Sequence, residues 1–158
     1  QRGRELLAAN GYQQYEVSAY AADGARCVHN LNYWTFGDYI GIGAGAHGKM
    51  TEPNEKKVTR RAKLRMPKSY LQAPESVANL VEVDRKELRF EFLMNALRLC
   101  DGFDESLLKN RVLMDFDDLQ PELDSCVQDG LIIISGGTVR CSTRGFDFLD
   151  NVLERFLG

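Results

Sequence analysis

Several residues that would define this sequence at once are scarce in it. Its 158 residues include only four cysteines, four prolines, two histidines and one tryptophan. Cys27, Cys100, Cys126 and Cys141 fall in no CxxC, CxxxC or CxH spacing, which excludes a zinc knuckle or a locally written iron–sulfur motif. Four thiols over this length make no disulfide scaffold, so the expectation is reduced cysteines in a cytoplasmic protein. His29 and His47 are too few to build a metal site, although either could supply one ligand. No apolar run approaches the ~20 residues that a membrane span requires. Positive charge is not in excess either: the net charge is −3 and the pI about 5.5, which argues against a protein whose main work is gripping nucleic acid.

What is present is the composition of a folded protein, 44% hydrophobic and 27% charged, which excludes wholesale disorder. The length allows one ordinary domain or two small ones. The chain opens on Gln1 within a helical pattern, RELLAAN, and the expectation is a piece of a longer polypeptide.

Three textures follow one another. In residues 1–48, Asn10-Gly11 closes the first helix. YQQYEVSAYA alternates as a strand would, with Asp23-Gly24 breaking it, and YIGIGAGAHG reads as a second, glycine-rich strand. Helix, strand, loop and strand in quick succession predict the terminal units of a parallel α/β layer. Residues 49–83 form a basic connector: KKVTRRAKLR reads as a charged edge strand, or as a basic rim for an acidic ligand or partner.

From residue 84 the signals are local and clear. Asp84 and Glu87 form a variant capping box, and Leu88, Phe92, Leu93, Ala96, Leu97 and Cys100 recur at helical spacing. A short helix over 105–112 follows Asp104, and a third begins near Asp117/Asp118, tolerates Pro121 in its first turn and ends at Gly130. LIIIS and TVRCS flank Gly136-Gly137, a two-residue hairpin. A last helix starts at Ser142/Thr143, with Phe146, Leu149, Val152, Leu153, Phe156 and Leu157 on one face. The fold class expected is therefore α+β, an α/β remnant followed by a winged-helix-like C-terminal domain. The third helix carries Asp117, Asp118, Glu122, Asp124 and Asp129 without Lys or Arg, so it would repel a polyanion; a lid or a protein-contact module is expected instead of a nucleic-acid reader.

Two segments carry candidate chemistry. GIGAGAHG matches neither the Walker loop nor GxGxxG, but Gly41, Gly43 and Gly45 bare the backbone for a flat ligand or for close packing against another segment. HNLNYW places an imidazole, two amides, a phenol and an indole within residues 29–34. In a helical turn His29 and Tyr33 share one face and Asn30 and Trp34 the next. A histidine beside flat aromatics suits axial ligation and stacking of a macrocycle; a buried loop satisfying its own backbone is the other reading. Glu16 and Ser18 point either into the same cavity or into solvent. No Ser–His–Asp triad and no carboxylate pair is written here.

Taken together, GYQQYEVSAYA, HNLNYW, FGDYIGIGAGAHG, the basic segment, PKSYL and RFEFLMNALRLCDGF resemble the C-terminal part of the HemW family. These are radical S-adenosylmethionine proteins related to oxygen-independent coproporphyrinogen III oxidase. The resemblance implies the terminal βα portion of a (β/α) barrel in residues 1–48, the connector in 49–83 and the C-terminal domain in 84–158. It implies a [4Fe–4S] cluster and S-adenosylmethionine in the full-length parent, held by a CxxxCxxC motif that this chain lacks, and so neither bound to this fragment alone. It implies His29, Asn30, Tyr33 and Trp34 as heme-binding candidates, and Gly41, Gly43, Ala44, Gly45 and Ala46 as the strand beside the cofactor. The expected function is heme binding and delivery to an acceptor protein. The alternatives are oxidative decarboxylation of coproporphyrinogen III, with the basic connector meeting propionates, and a non-catalytic docking module.

Overall fold

The computed structural model describes residues 2–157. Its elements, in chain order, are α1 (Arg2–Ala9), β1 (Gln13–Gln14), β2 (Tyr20–Ala21), α2 (Val28–Trp34), β3 (His47–Glu52), β4 (Lys57–Lys63), α3 (Pro67–Gln72), β5 (Val77–Glu82), α4 (Arg85–Ala96), β6 (Phe103–Asp104), α5 (Glu105–Val112), α6 (Glu122–Gln128), β7 (Ile132–Ser135), β8 (Thr138–Cys141), α7 (Thr143–Asp147) and α8 (Leu149–Glu154). This is a mixed helix-and-sheet chain with three small sheets, β1-β2, β3-β4-β5 and β6-β8-β7. Every strand pairing among the described residues is antiparallel.

The first expected strand is two strands. β1 and β2 pair with each other, and the chain doubles back between them where the Tyr15 amide donates to the Ala19 carbonyl at 3.1 Å. Glu16 drives the turn, because its carboxylate takes both the amide and the hydroxyl of Ser18. Alternation alone could not show this, since the polar residues that mimicked a solvent face are turn-formers. The glycine-rich strand is also corrected. Only Tyr39 bridges β3, through Lys49; the chain then loops, with φ +114° at Gly43 and +71° at Gly45, and the ladder begins at His47.

The basic segment is not an edge. β4 is the central strand, flanked by β3 and β5, and three of its four cations are balanced: Arg60 pairs with Glu91, Lys57 with Glu55, and Arg61 with Glu52 at 3.6 Å, while Lys63 donates to the Pro74 carbonyl. Successive residues point to opposite faces. Lys49 lies opposite Arg60 on one face, and Gly48 opposite Arg61 on the other. The exposed edge is β5.

The C-terminal elements follow their caps. The Asp84 carboxylate accepts the Lys86 amide, that of Asp104 the Leu107 amide, and the Ser142 hydroxyl oxygen the Gly145 amide, each satisfying an orphan donor of a helix start. Gly136 and Gly137 both take positive φ, as a two-residue hairpin turn demands. Two expected helices are interrupted. The third is a 3-10 turn over Phe116–Leu119 followed by α6 with Pro121 at its N-cap, because Pro121 has no amide to continue the first turn. The last is divided at Phe148 into α7 and α8, which leaves Leu157 exposed while Val152, Leu153 and Phe156 are buried. One core joins these parts: Phe36 and Val58 cluster with Leu88, Phe92, Phe103, Leu123, Val139 and Phe156. No helix among the described residues is long and apolar enough to cross a membrane.

Candidate functional site

HNLNYW forms α2. The residues divide by face as helical spacing requires. His29 and Tyr33 are on the exposed side, their rings edge-to-face with centroids 4.9 Å apart. Tyr33 continues the array to Tyr39, at 5.1 Å. Asn30 is half-buried.

Trp34 turns the other way. The Arg98 guanidinium carbon, at the end of α4, is 4.4 Å from the indole ring centre, a cation–π geometry. Arg98 also donates to the Glu16 carboxylate at 3.0 Å. Glu16 is 2% exposed; burial pushes its carboxyl upward, but bonds from Ser18 and Arg98 outweigh that and hold it below the ordinary range. Glu16 is an inner ion-pair partner, and the exposed Ser18 serves its carboxylate. The Trp34 Nε1 and Arg98 Nε donors are buried without a hydrogen-bond partner among the described residues.

After α2 the chain is fixed by a compact polar knot. The Asn32 side-chain amide donates to the Asp38 carbonyl at 3.1 Å, and Gly37 is required because a Cβ there would collide with the Asn32 side chain. The Asp38 carboxylate accepts from Lys49 at 2.8 Å and from the amide and hydroxyl of Thr51 at 3.1 and 2.9 Å. Lys49 is 2% exposed, with its ammonium 4.4 Å from the Phe36 ring centre. Burial lowers the Lys49 ammonium from the ordinary lysine value, with Asp38 opposing. Burial likewise raises Asp38, but the Lys49 and Thr51 bonds win and its carboxyl lies below the usual aspartate range.

Of the glycine-rich segment, Gly41 packs so tightly that a Cβ would collide with the His47 carbonyl. Gly45 donates its amide to Leu64, and the Ala46 carbonyl accepts from Lys63. Ala44 is exposed, and nothing lies within 4 Å of a Cβ at Gly43. Ile40, Gly41 and Ala46 help line a cavity of about 210 Å³ together with Met50, Arg61 and Lys63, to which α2 contributes nothing. That cavity lies on the Arg61 face of β3 and β4, away from Lys49 and Arg60. Tyr39, whose ring packs on Tyr33, also lines that cavity, so the two segments singled out from the sequence adjoin through this one residue.

Tyr39, Asp38, Lys49 and Arg98 were not among the candidates. Tyr39 and Asp38 sit beside the motif, and a polar residue flanking a glycine is a turn signal. Arg98 carries no local signal, because its partners are 64 and 82 residues away in sequence.

The cysteines do not assemble. Cys126 and Cys141 are buried, Cys27 is exposed and Cys100 half-buried, all free. Among the described residues no three His, Cys, Asp or Glu side chains group to hold a metal. The chain's own residues therefore do not fit an iron–sulfur cluster.

The fold is similar to that of the C-terminal part of a solved porphyrinogen oxidase. The solved structure of coproporphyrinogen III oxidase (HemN) from Escherichia coli, described as a radical SAM enzyme, superposes with a TM-score of 0.60 at 17% identity, over 99% of this chain and 39% of that one. Residues 83–148 match the HemN C-terminal domain family. In sequence the chain matches the C-terminal portion of the heme chaperone HemW: 40% identity to that of Escherichia coli K12 and 38% to that of Haemophilus influenzae, in each case over 99% of this chain. It spans about two fifths of those relatives' length, 41% and 40%.

Proposed function

We propose that this chain is the C-terminal part of a heme chaperone of the HemW kind and that it supplies an aromatic contact surface for heme. The carrying observation is the His29–Tyr33–Tyr39 array on α2 and the segment after it, in which His29 and Tyr33 are exposed and Tyr39 is half-buried. An accessible imidazole next to two phenol rings joins an iron-ligating nitrogen to a flat apolar wall, and neutral imidazole is a common heme ligand. His29 is the ligand in this reading, with Tyr33 and Tyr39 the wall. The C-terminal elements, three helices with a three-stranded sheet and a closing helix pair, are read as a winged-helix-like unit whose acidic α6 meets a protein partner such as a heme acceptor. The cluster and S-adenosylmethionine of a cytoplasmic parent would be held outside this chain.

The test is a heme titration of the full-length protein followed by absorbance. Saturable binding with a shifted Soret band is expected, weakened about tenfold or more by His29→Ala. An unchanged titration for the variant removes His29 from the account. Conversion of coproporphyrinogen III by the cluster-loaded protein would favour the oxidase reading instead.

A further inference from the structure

The motif helix has a back as well as a front. Its front offers His29 and Tyr33; its back is Trp34, whose ring is covered by Arg98. Arg98 is in turn clamped at its far side. Its guanidinium donates to Glu16, and its carbonyl accepts the Val17 amide at 3.1 Å. The neighbouring backbone is tied in the same way, with Glu16 bridging Leu99 and the Cys100 amide bonded to the Tyr15 carbonyl at 3.0 Å. The end of α4 is therefore fixed to the β1–β2 turn, and Arg98 projects from that joint onto α2. No backbone hydrogen bond ties α2 to α4. Of the contacts that set its seat, Asn32 on Asp38 and Tyr33 on Tyr39 tie it to the segment that follows it, whereas Trp34 on Arg98 and the nearby Phe36 on Phe92, at 6.0 Å, tie it to α4 and the residues just beyond. Phe36 and Phe92 fix depth but are apolar and can slide. A planar cation stacked on an indole and hydrogen-bonded to a buried carboxylate has a direction.

We propose that Arg98, held by Glu16, is a positioning residue that sets the orientation of α2 and so aims His29 and Tyr33 at the heme. Trp34 is then the socket for Arg98 and touches no ligand. This inference rests on the reading of α2 as the heme-facing helix. It assigns the four motif residues different work, with His29 and Tyr33 meeting the ligand while Trp34 hands the geometry of the C-terminal unit to them.

The experiment compares full-length wild type, Arg98→Met, Arg98→Lys, Glu16→Gln and His29→Ala, measuring hydrogen exchange in the heme-free protein and then heme affinity and Soret position. Arg98→Met removes the planar cation and keeps the length. It should speed exchange over residues 28–36 while residues 105–112 stay as in wild type, lower heme affinity about tenfold and move the Soret band. Glu16→Gln should act in the same direction, and the Glu16→Gln/Arg98→Met pair should cost little more than Arg98→Met alone, as residues acting through one contact do. Arg98→Lys keeps the charge without the plane and should fall between wild type and Arg98→Met. Unchanged exchange over 28–36 in Arg98→Met overturns the proposal, and so does faster exchange with heme affinity and Soret band unmoved, which would make Arg98 merely structural. A wild type that binds no heme, or a His29→Ala protein that binds as well as wild type, overturns the heme reading itself. Those two results come from proteins with Arg98 intact, so the failures are distinguishable.

Discussion

Removing the Asp38 carboxylate should unfold more of the stability of this chain than removing its buried partner, Lys49. The ammonium is 2.8 Å from Asp38 and the Lys49 side chain is 2% exposed, whereas that of Asp38 is 28% exposed. At an effective dielectric of about 20 the gross attraction at that distance is about 6 kcal/mol, much of it offset by desolvation of the lysine. Asp38→Ala leaves the ammonium buried with only the Thr51 hydroxyl at 3.3 Å and the Phe36 face, and orphans the Thr51 amide as well. An uncompensated buried charge costs about 3–5 kcal/mol, softened where the lysine can shed its proton. Lys49→Met removes the charge and keeps the volume, and leaves Asp38 partly hydrated with both Thr51 bonds, so about 1–2 kcal/mol is expected. The double variant has no orphaned ammonium and should lose less than Asp38→Ala, exceeding Lys49→Met only by the lost Thr51 bonds. Urea denaturation followed by circular dichroism measures all three. A Lys49→Met variant as unstable as Asp38→Ala, or strictly additive losses in the double variant, would refute the reasoning. The pH dependence has a definite sign. The folded Asp38 carboxyl lies below its unfolded value, so its contribution is complete above the ordinary aspartate range and disappears as pH falls through the lowered folded value. Asp38→Asn should flatten that acid limb.

Two further expectations use the same structure. Gly41→Ala should lower the melting temperature and disturb the 210 Å³ cavity, since the added methyl meets the His47 carbonyl, whereas Gly43→Ala meets nothing within 4 Å and should cost only the strain of its φ of +114°, about 1 kcal/mol; thermal unfolding of the two variants separates collision from strain. A thiol reagent at mildly alkaline pH should modify Cys27 quickly and Cys100 slowly. Cys126 and Cys141 should react only after unfolding, because both are buried and burial, with Cys126 nearby, pushes the Cys141 thiol up to about 12.

What the sequence disclosed depended on the range of the interactions concerned. Asp84, Asp104 and Ser142 announce helix starts because each bonds an amide two or three residues on, and Gly136-Gly137 announces a hairpin because the turn needs both positive φ values. The stripe Leu88–Phe92–Leu93–Ala96–Leu97 is wholly buried, as periodicity predicts. Failures came where the deciding partner is distant or where a residue has two uses. The place of β4 between β3 and β5 is set by partners on both sides, so its cations, read as protecting an edge, serve mostly as paired charges instead. Glycines that suit a close strand also suit a loop, and here Gly43 and Gly45 take the loop. The helical face of His29 and Tyr33 was legible from spacing; the opposite duty of Trp34 was not, since nothing near residue 34 foretells Arg98.

The stretch recognisable as a HemN C-terminal domain, residues 83–148, has limits that the core does not respect. Cut at 148, it would lose Val152, Leu153 and Phe156, and cut at 83 it would lose Phe36 and Val58, all members of the same buried cluster. A polypeptide trimmed to those limits would show water a seam of phenylalanine and leucine at both ends. What evolution carries as a recognisable block of sequence is, in this chain, less than a unit of folding, and a fragment meant to stand alone must keep α2, β4 and α8.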